Sequence, residues 1–429
     1  MPTPADRSPL RAGFEKLADP SFARLFSARL ISAFGSQVAL IAIAFGVLGL
    51  TGSSAQMALV MGSQTTMQVL MTLFGGALAD RWSRKRMLVF GELLAGSSQA
   101  IVAVLLLTET AQVWQLMLLM GVNGVAFGLL FPAAVGLVPL VVERDELQSA
   151  NALISLAQSA AFSLGGGAAA WLVGTAGGGS NVIGAGWAIT VDAATFFLAG
   201  GLVSGIVARA QVRDEAAAGS SLLRDLREGW REFVSHRWLW TIVTQWSLVL
   251  MGYLAGLNII GPFVADQSLG GPEAWGMVVV ALGIGLVLGG LAGMLLRVRR
   301  PMLVGSISVF AFALPLCGLA TGAGVPFLAA GALLAGFGGE LFAVLWYTAL
   351  HTHVAPDKLS RVAAYDQLGS VALAPIGEIG AGFLIGVIGA ATTAWIAVGL
   401  VVIPTILILL VPEVRRLPSV TPKFEGEGA

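Results

Sequence analysis

Charged residues are scarce in this sequence. Asp, Glu, Lys and Arg together make up 11% of its 429 residues, while 56% are hydrophobic and the mean hydropathy is +0.85. A soluble globular domain carries about 25% charged residues, which it needs to cover its surface. So little charge in so long a chain excludes a soluble domain and predicts a protein that crosses a membrane many times.

Signatures of secretion and of catalysis are also missing. The single cysteine, Cys317, excludes a disulfide within the chain, and the polar N-terminal residues do not resemble a cleavable signal peptide. The sequence has no Walker loop, dinucleotide-binding fingerprint or zinc-ligand spacing. His351 and His353 lie in a predicted loop with no nearby cysteine, so a surface role is favoured over a metal site. We therefore expect neither an enzyme nor a bound cofactor.

Apolar runs divide the chain into a series of predicted membrane spans. Each run has about the 20 residues that an α-helix needs to cross a hydrocarbon core of about 30 Å. The twelve predicted spans are 24–49, 55–79, 87–108, 112–141, 150–175, 183–207, 238–265, 274–296, 302–321, 326–350, 362–387 and 391–411.

Basic residues predict the orientation of these spans. Arginine clusters such as those at 81–86 and 297–300 mark cytoplasmic connections under the positive-inside rule. The connections on the other side contain no Lys or Arg: 50–54, 109–111, 176–182, 266–273, 322–325 and 388–390. We therefore predict a multi-pass protein of the bacterial cytoplasmic (inner) membrane with both termini in the cytoplasm.

The two halves of the chain repeat each other. VVERDELQSANAL (141–153) aligns with HVAPDKLSRVAAY (353–365) at a constant offset of 212 residues. A long polar segment then separates six predicted spans from the other six. The predicted domains are an N-terminal six-helix bundle (1–207), a cytoplasmic linker (208–237), a C-terminal six-helix bundle (238–411) and a cytoplasmic tail (412–429).

The linker contains a predicted amphipathic helix. Charged side chains occupy one helical face, and such a helix is suited to lie on the inner membrane surface. A solvated linker helix without membrane contact is the alternative. The apolar face carries Leu222, Leu223, Leu226, Trp230, Phe233 and Val234.

The turn after the second span carries a specific motif. It reads G-x-x-x-D-R-x-x-R-K-R, starting at Gly76. This spacing resembles the loop signature of the major facilitator superfamily of secondary transporters. The resemblance implies an all-α membrane protein with twelve transmembrane helices in two pseudo-symmetric six-helix bundles, and a substrate site between them near the midplane.

Further stretches resemble the drug:proton antiporter branch of that superfamily, which contains macrolide-efflux and enterobactin-exporter-like proteins. The fifth helix of that branch usually carries a Gly-Pro pair, whereas Gly165 is followed here by Gly166. The resemblance implies export. The stretches are FARLFSARLISAFGSQVA (22–39), DELQSANALISLAQSAAFSLGG (145–166), WAITVDAATFF (187–197) and RVAAYDQLGSVALAPIG (361–377).

Acidic residues within the predicted spans are the first functional candidates. Ionisable groups inside a membrane are costly, and desolvation favours the neutral form of a carboxyl group that has no cationic partner. Exchange between the neutral and charged forms is what proton coupling requires. The candidates for proton coupling or for binding a cationic substrate are Glu92, Asp192, Glu340, Asp366 and Glu378.

These five acids differ in predicted position. Glu340 and Glu378 lie near the middle of spans that line the cavity in the resembling fold, so they lead the set. For Asp192 a structural hydrogen bond to a neighbouring helix is favoured. Asp366 lies just inside the inner end of its span, where a helix-start or gating role is favoured, and Glu92 is near enough to the inner end to reach water.

The loop motif is also predicted to act as a gate. The resemblance implies that Asp80 and Arg81 contact the start of helix 11, where the helix dipole stabilises an acid. For Lys85 and Arg86 a purely topological role is favoured. The predicted gating residues are Gly76, Asp80, Arg81, Arg84 and Arg86.

Neutral polar and aromatic residues are predicted to shape the substrate cavity. Apolar walls with few polar groups suit bulky lipophilic cargo better than sugars or phosphates, although for each residue alone helix packing is favoured over a ligand role. The candidates are Phe34, Gln37, Gln64, Gln68, Asn123, Asn258 and Trp346.

Together these features predict proton-coupled efflux of lipophilic or amphipathic compounds by alternating access. The alternative is an exporter dedicated to one endogenous metabolite, such as a siderophore or a self-made antibiotic, and import is a third option. The expected partners are a small lipophilic substrate, protons and membrane lipids, with no nucleic acid, and we expect a monomer.

Overall fold

The computed structural model describes residues 15–143, 146–207, 230–296, 298–354 and 356–419. All regular elements in these ranges are helices. The long helices are α1 Pro20–Thr51, α2 Ser54–Arg81, α3 Arg84–Leu107, α4 Val113–Val141, α5 Leu147–Thr175, α6 Asn181–Ser204, α7 Arg237–Leu269, α8 Pro272–Leu295, α9 Pro301–Thr321, α10 Val325–His353, α11 in two parts (Pro356–Val371 and Ala374–Ile388) and α12 Ala390–Leu409, and a short helix α13 spans Pro412–Arg416.

Most of these helices are suited to a membrane. Within the described ranges, 11 helices are long and apolar enough to cross a bilayer. The remaining long helix, α2, has 28 residues, and at about 1.5 Å per residue it exceeds the thickness of the hydrocarbon core. The predicted all-α membrane class is confirmed.

The chain forms two compact units. The first unit contains Met1–Arg213 together with Asn258–Val280 and Glu378–Val387. In it α2 packs against α4, α1 against α5 and α6, and α3 against α4 and α6. A buried apolar cluster joins the ends of α1, α3, α4, α5 and α6 around Phe22, Met87, Leu137 and Phe196.

The second unit contains Asp214–Leu257, Ala281–Gly377 and Ile388–Ala429. Its first part of α7 packs against α12 and the first part of α11, while α9 packs against α10 and α12. The helices α7, α8 and α11 therefore contribute one part to each unit. The predicted domain borders at 207 and 238 remain a prediction.

Two helices depart from regular geometry where they pass from one unit to the other. In α7, residues Ala255–Ile260 and Ala265–Leu269 are π-helical, and α11 is interrupted at residues 372–373. A π-helical turn widens the helix and is often found at functional sites. Here it positions Asn258, and the break in α11 separates Asp366 from Glu378.

The predicted amphipathic helix of the linker lies mainly outside the described residues, since 208–229 are not described. Its last part, residues 230–235, is helical. The ring of Trp230 stacks on Phe233 at a centroid distance of 5.8 Å, and both rings pack against Tyr365 of α11 at 5.5 and 5.9 Å. This end of the segment is thus held against the second unit.

Candidate functional site

The carboxyl group of Glu378 lies in the interior of the first unit. Only 1% of the residue is exposed, and Oε1 accepts a 2.7 Å hydrogen bond from Nδ2 of Asn258 on α7. Oε2 is buried and has no hydrogen-bond partner among the described residues. An ionised carboxylate would leave an uncompensated buried charge here, so this arrangement suits the protonated form.

Close helix contacts surround Glu378. Ser54 Oγ of α2 donates a 2.9 Å hydrogen bond to the Gly382 carbonyl of α11, and Gly62 of α2 has no room for a side chain against Ile379. A Cβ at Gly166 of α5 would lie 2.6 Å from Val279 of α8. In the first unit, α11 therefore packs tightly on α2 and α8 on α5, at the helix ends that the sequence predicts to be external.

Asp366 lies on a cavity in the second unit. The cavity has a volume of about 190 Å³ and lies between α7, α10 and α11. Trp346 Nε1 donates a 3.0 Å hydrogen bond to Asp366 Oδ2, and Ser370 Oγ donates at 3.4 Å to Oδ1. The lining also includes Trp246, Phe342, Tyr347 and Gln367.

Several aromatic rings line the same cavity as this carboxyl group. Trp246 stacks on Phe342 at 4.5 Å with an interplanar angle of 18°, and Phe342 lies parallel to Trp346 at 6.3 Å. Trp238 closes the cluster by an edge contact with Trp346 at 5.6 Å. The negative faces of aromatic rings attract cations, so this site combines two elements of cation recognition.

The expectation that Asp366 starts or gates its helix is wrong in one respect. The helix begins at Pro356 rather than near 362, so Asp366 lies well within it. Proline fits the first turn of a helix, where its missing N–H has no intrahelical acceptor. Asp366 lines the cavity, and Trp346, a predicted cavity residue, is one of the two donors to its carboxyl group.

Glu340 occupies a different position from both acids. It lies half-buried on α10, and a Cβ on Gly290 of α8 would contact its side chain at 3.4 Å. It makes no hydrogen bond or ion pair within the part of the chain that the structure describes. It does not line the cavity of Asp366.

Glu92 and Asp192 belong to a buried polar network between α1, α3 and α6. Ser32 Oγ donates to Glu92 Oε2 at 3.2 Å, and Gln99 Nε2 donates to Asp192 Oδ2 at 2.8 Å. Arg29 lies near Glu92 and is itself largely shielded from solvent. The expectation that Glu92 reaches water is wrong, because only 4% of it is exposed. Arg29 is half-buried on α1, where its positive charge is near enough to act on the carboxyl group of Glu92.

Several predicted cavity residues connect helices instead. Gln64 Nε2 on α2 donates to Asn123 Oδ1 on α4 at 3.0 Å. A Cβ at Gly165 of α5 would lie 2.7 Å from both the Phe34 carbonyl and Gln37 Cβ on α1. The backbone carbonyl of Gln68 accepts a 2.8 Å hydrogen bond from Thr72 Oγ1 within α2. None of these residues lies on the cavity of Asp366.

The loop motif is only partly described. The backbones of Gly76, Asp80 and Arg81 belong to α2, but their side chains lie outside the described set, so the predicted gate stays a prediction. Arg84 Nη1 donates a 2.6 Å hydrogen bond to the Gly136 carbonyl on α4. Arg86 is exposed. Arg84 therefore connects two helices of the first unit.

Trp246 and Phe342 are the site residues that sequence reasoning missed. Both lie in apolar runs where an aromatic residue is ordinary packing material. For Phe342 the sequence does contain a signal. It lies four residues before Trp346, so the two side chains share a face of α10. The acid that completes the site, Asp366, is on another helix.

Comparison with known proteins identifies the family to which this architecture belongs. Residues 25–298 match the model of the Major Facilitator Superfamily. Macrolide efflux protein A of Streptococcus pyogenes is 21% identical over 410 residues, which cover 92% of this chain and 97% of that protein.

Two solved transporters share the fold. A point mutant of the nucleoside transporter NupG has a TM-score of 0.75 at 16% identity, covering 91% of this chain and 99% of that one. A D-xylose-proton symporter has a TM-score of 0.68 at 13% identity, covering 92% and 98%. The chain belongs to the Major Facilitator Superfamily of membrane transporters.

Proposed function

We propose that this transporter exports lipophilic or amphipathic compounds, organic cations among them, across the inner membrane in exchange for protons. Its similarity to macrolide efflux protein A extends over nearly the full length of both chains and supports export. Both termini would lie in the cytoplasm, as the basic residues predict, and the monomer would be the working form.

One observation carries the substrate class: the Asp366 carboxyl group faces a cavity whose other lining is mostly apolar and includes four aromatic side chains. Mostly apolar walls with one carboxyl group suit an amine on an apolar body better than a sugar or nucleoside, which is polar over its whole surface. An amine on a bulky apolar body would place its charge at Asp366 and its body against Trp246 and Phe342. Cation–π contacts of about 0.5–2 kcal/mol each would add to that ion pair.

The same geometry provides an exchange of protons for substrate. Asp366 binds a cation only when it is ionised, so a proton and a cationic substrate compete for one carboxyl group. Glu378 supplies a second site, where burial and an unpaired oxygen favour the protonated form, while the amide donor Asn258 allows the ionised form as well. Ionisation of Glu378 would place a charge among the close contacts of α2, α7 and α11 and loosen them.

Transport in proteoliposomes with an imposed pH gradient tests the proposal. The compounds are a lipophilic cation, a neutral compound of similar size and a macrolide, with proton movement recorded beside each. The variants are Asp366→Asn and Glu378→Gln. Glu109→Gln serves as the matched control, because this acid is exposed in the loop between α3 and α4.

We expect Asp366→Asn to lose transport of the cation by about tenfold or more, the worth of one charge-assisted contact. Glu378→Gln should abolish proton movement, while Glu109→Gln behaves as wild type. A wild type that ignores all three compounds would favour the dedicated metabolite exporter. Uphill transport without proton movement in every variant would refute the proton mechanism.

A further inference from the structure

The two halves of the chain differ at the start of their third helices. In the first half, the guanidinium group of Arg84 lies over Gly136 of α4 and donates to its carbonyl at 2.6 Å. A Cβ at Gly136 would lie 2.6 Å from Arg84 Nε, so the glycine leaves the space that the guanidinium occupies. This arginine is thus held by its own bundle.

The repeat identifies the counterparts of these residues in the second half. The MLV triplets at 87–89 and 302–304 superpose Arg84 on Arg299, and the offset of 212 superposes Gly136 on Thr348. Thr348 does not provide the space of a glycine. Arg299 is exposed and makes no hydrogen bond or ion pair within the described part of the chain.

A cavity of about 460 Å³ lies where this arginine would have been bound. It is formed by the end of α8, the start of α9, the end of α10 and residues 418–419, at the side that the sequence predicts to be cytoplasmic. Its wall is apolar apart from a few polar groups. The lining includes Leu296, Val298, Leu345, Arg299, Thr348 and His353.

His353 adds an unsatisfied polar atom to this wall. Its Nδ1 lies 3.0 Å from the Ala349 carbonyl, and because a carbonyl only accepts, Nδ1 carries the hydrogen. Nε2 is buried and has no partner among the described residues. A buried polar atom of this kind is normally satisfied by another group.

The surroundings of the cavity are apolar on one side and basic on the other. At the end of α8, Leu295 is 82% exposed and Met294 is also exposed, as expected of side chains that face lipid. Arg300 precedes α9, and Arg415 and Arg416 end α13; all three are exposed. This combination is complementary to a molecule with an anionic head and apolar chains.

We propose that this cavity binds the phosphodiester headgroup of an anionic phospholipid from the cytoplasmic leaflet. Arg299 donates to the phosphate, and Thr348 and His353 Nε2 bond the hydroxyl groups of the head. The acyl chains cover Leu295 and Leu296. The lipid would thus connect α9 to α10 in the second half, as Arg84 connects α3 to α4 in the first.

Native mass spectrometry of the full chain measures this binding. The purified transporter is titrated with phosphatidylglycerol, with phosphatidylcholine of the same chain length, and with inorganic phosphate. The variants are Arg299→Gln and Arg299→Lys. Arg231→Gln is the control for charge, since Arg231 is also an exposed arginine of the second unit but does not line the cavity.

We expect wild type and Arg231→Gln to retain one phosphatidylglycerol more tightly than phosphatidylcholine. Arg299→Gln should bind it about tenfold more weakly, as loss of a charged hydrogen bond predicts, and Arg299→Lys should recover part of that loss. Equal retention of both lipids, or equal binding by Arg299→Gln and wild type, would overturn the proposal. Inorganic phosphate that binds as tightly as the lipid would overturn it too, because the site would then be one for a soluble anion.

Discussion

The two halves hold the start of their fifth helix by the same joint with opposite charges. In the first half Lys16, just before α1, pairs with Glu146 at 2.6 Å. In the second half Glu232, just before α7, pairs with Lys358 at 2.8 Å. Glu146 and Lys358 correspond at the repeat offset of 212 residues. The joint is therefore defined by an attraction between two positions, whichever of them carries the positive charge.

A second joint is shared without change of residue type. Gly165 of α5 packs on Phe34 of α1, and its counterpart Gly377 of α11 packs on the Met251 carbonyl of α7. Each glycine lets its helix approach the first helix of its own half closely. The halves are thus built on one framework of helix contacts.

The two halves differ in the acidic residues that they carry at equivalent positions of this shared framework. The counterpart of Asp366 is Ile154, and the counterpart of Glu378 is Gly166. Ile154 belongs to the buried apolar cluster of the first unit, while Asp366 faces a cavity. The comparison indicates that α11 carries carboxyl groups at positions where α5 contributes only packing.

The strongest test of this difference is to place the acid of α11 at the equivalent position of α5. Ile154→Asp would place a carboxylate among the buried apolar side chains of this cluster. We expect the folded protein to lose more than about 3 kcal/mol, the scale of an uncompensated buried charge. Ile154→Val should cost about 1 kcal/mol. Thermal melting in detergent measures both effects. If Ile154→Asp melted at the same temperature as Ile154→Val, the assignment of Ile154 to a dry core would be contradicted.

The shared glycine joint gives the next largest effect. A Cβ at Gly377 would overlap the Met251 carbonyl, so Gly377→Ala must displace the backbone of α7 or α11. Overpacking of this kind costs about 1–3 kcal/mol. The control is Gly380→Ala in the same helix, where nothing lies within 4 Å of an added Cβ. A Gly377→Ala protein that melts with the control would show that the contact is loose.

The framework was the part that the sequence could predict. Long apolar runs and arginine clusters locate the helices, since crossing a bilayer fixes their length and hydrophobicity. The repeat offset correctly related Gly165 to Gly377, and both occupy equivalent joints. These signals are periodic and local, which is why a single sequence carries them.

The site was less accessible to prediction. The position of Asp366 depends on the true start of α11 at Pro356, several residues before the apolar run begins. The burial of Glu92 depends on Ser32 and Arg29 of another helix. Contacts between helices distant in sequence leave no local pattern. The acidic residues inside the membrane could therefore be predicted from the sequence, but their partners on other helices could not.

A smaller effect concerns the donor to the Asp366 carboxyl group. Trp346→Phe keeps an aromatic wall but removes the indole N–H that donates at 3.0 Å. We expect the apparent KM for a lipophilic cation to change by about three- to tenfold, the range for one ordinary hydrogen bond. Transport of a neutral compound should change little. Phe342→Leu is the matched variant, because it removes a ring and leaves the donor in place, so it should weaken both compounds. Equal effects of Trp346→Phe on both compounds would show that Trp346 has no part in recognising the charge of the substrate.

The smallest expected effect tests the paired joints themselves. The carboxylate of Glu146 raises the pKa of Lys16 above its usual 10.5, and the ammonium group of Lys358, with a smaller effect of His236, lowers the pKa of Glu232 below its usual 4.5. The Lys16 joint therefore contributes stability below about pH 10.5 and loses it as the pH rises through the raised pKa. The Glu232 joint contributes above about pH 4.5 and loses it as the pH falls through the lowered pKa.

Charge reversal should distinguish the two joints. At pH 7 Glu146→Lys and Lys358→Glu should each lower stability by at most about 1 kcal/mol, because both joints are partly exposed. Adding Lys16→Glu to the first variant and Glu232→Lys to the second should restore the melting temperature, since each double variant adopts the charge order found in the other half. Melting curves at pH 3.5, 7 and 11 should show the largest effects of charge reversal at pH 7, because each joint pairs one carboxylate with one ammonium group and both acid and alkali remove one of the two charges. Restoration in neither double variant would mean that residue identity, rather than attraction, defines the joint.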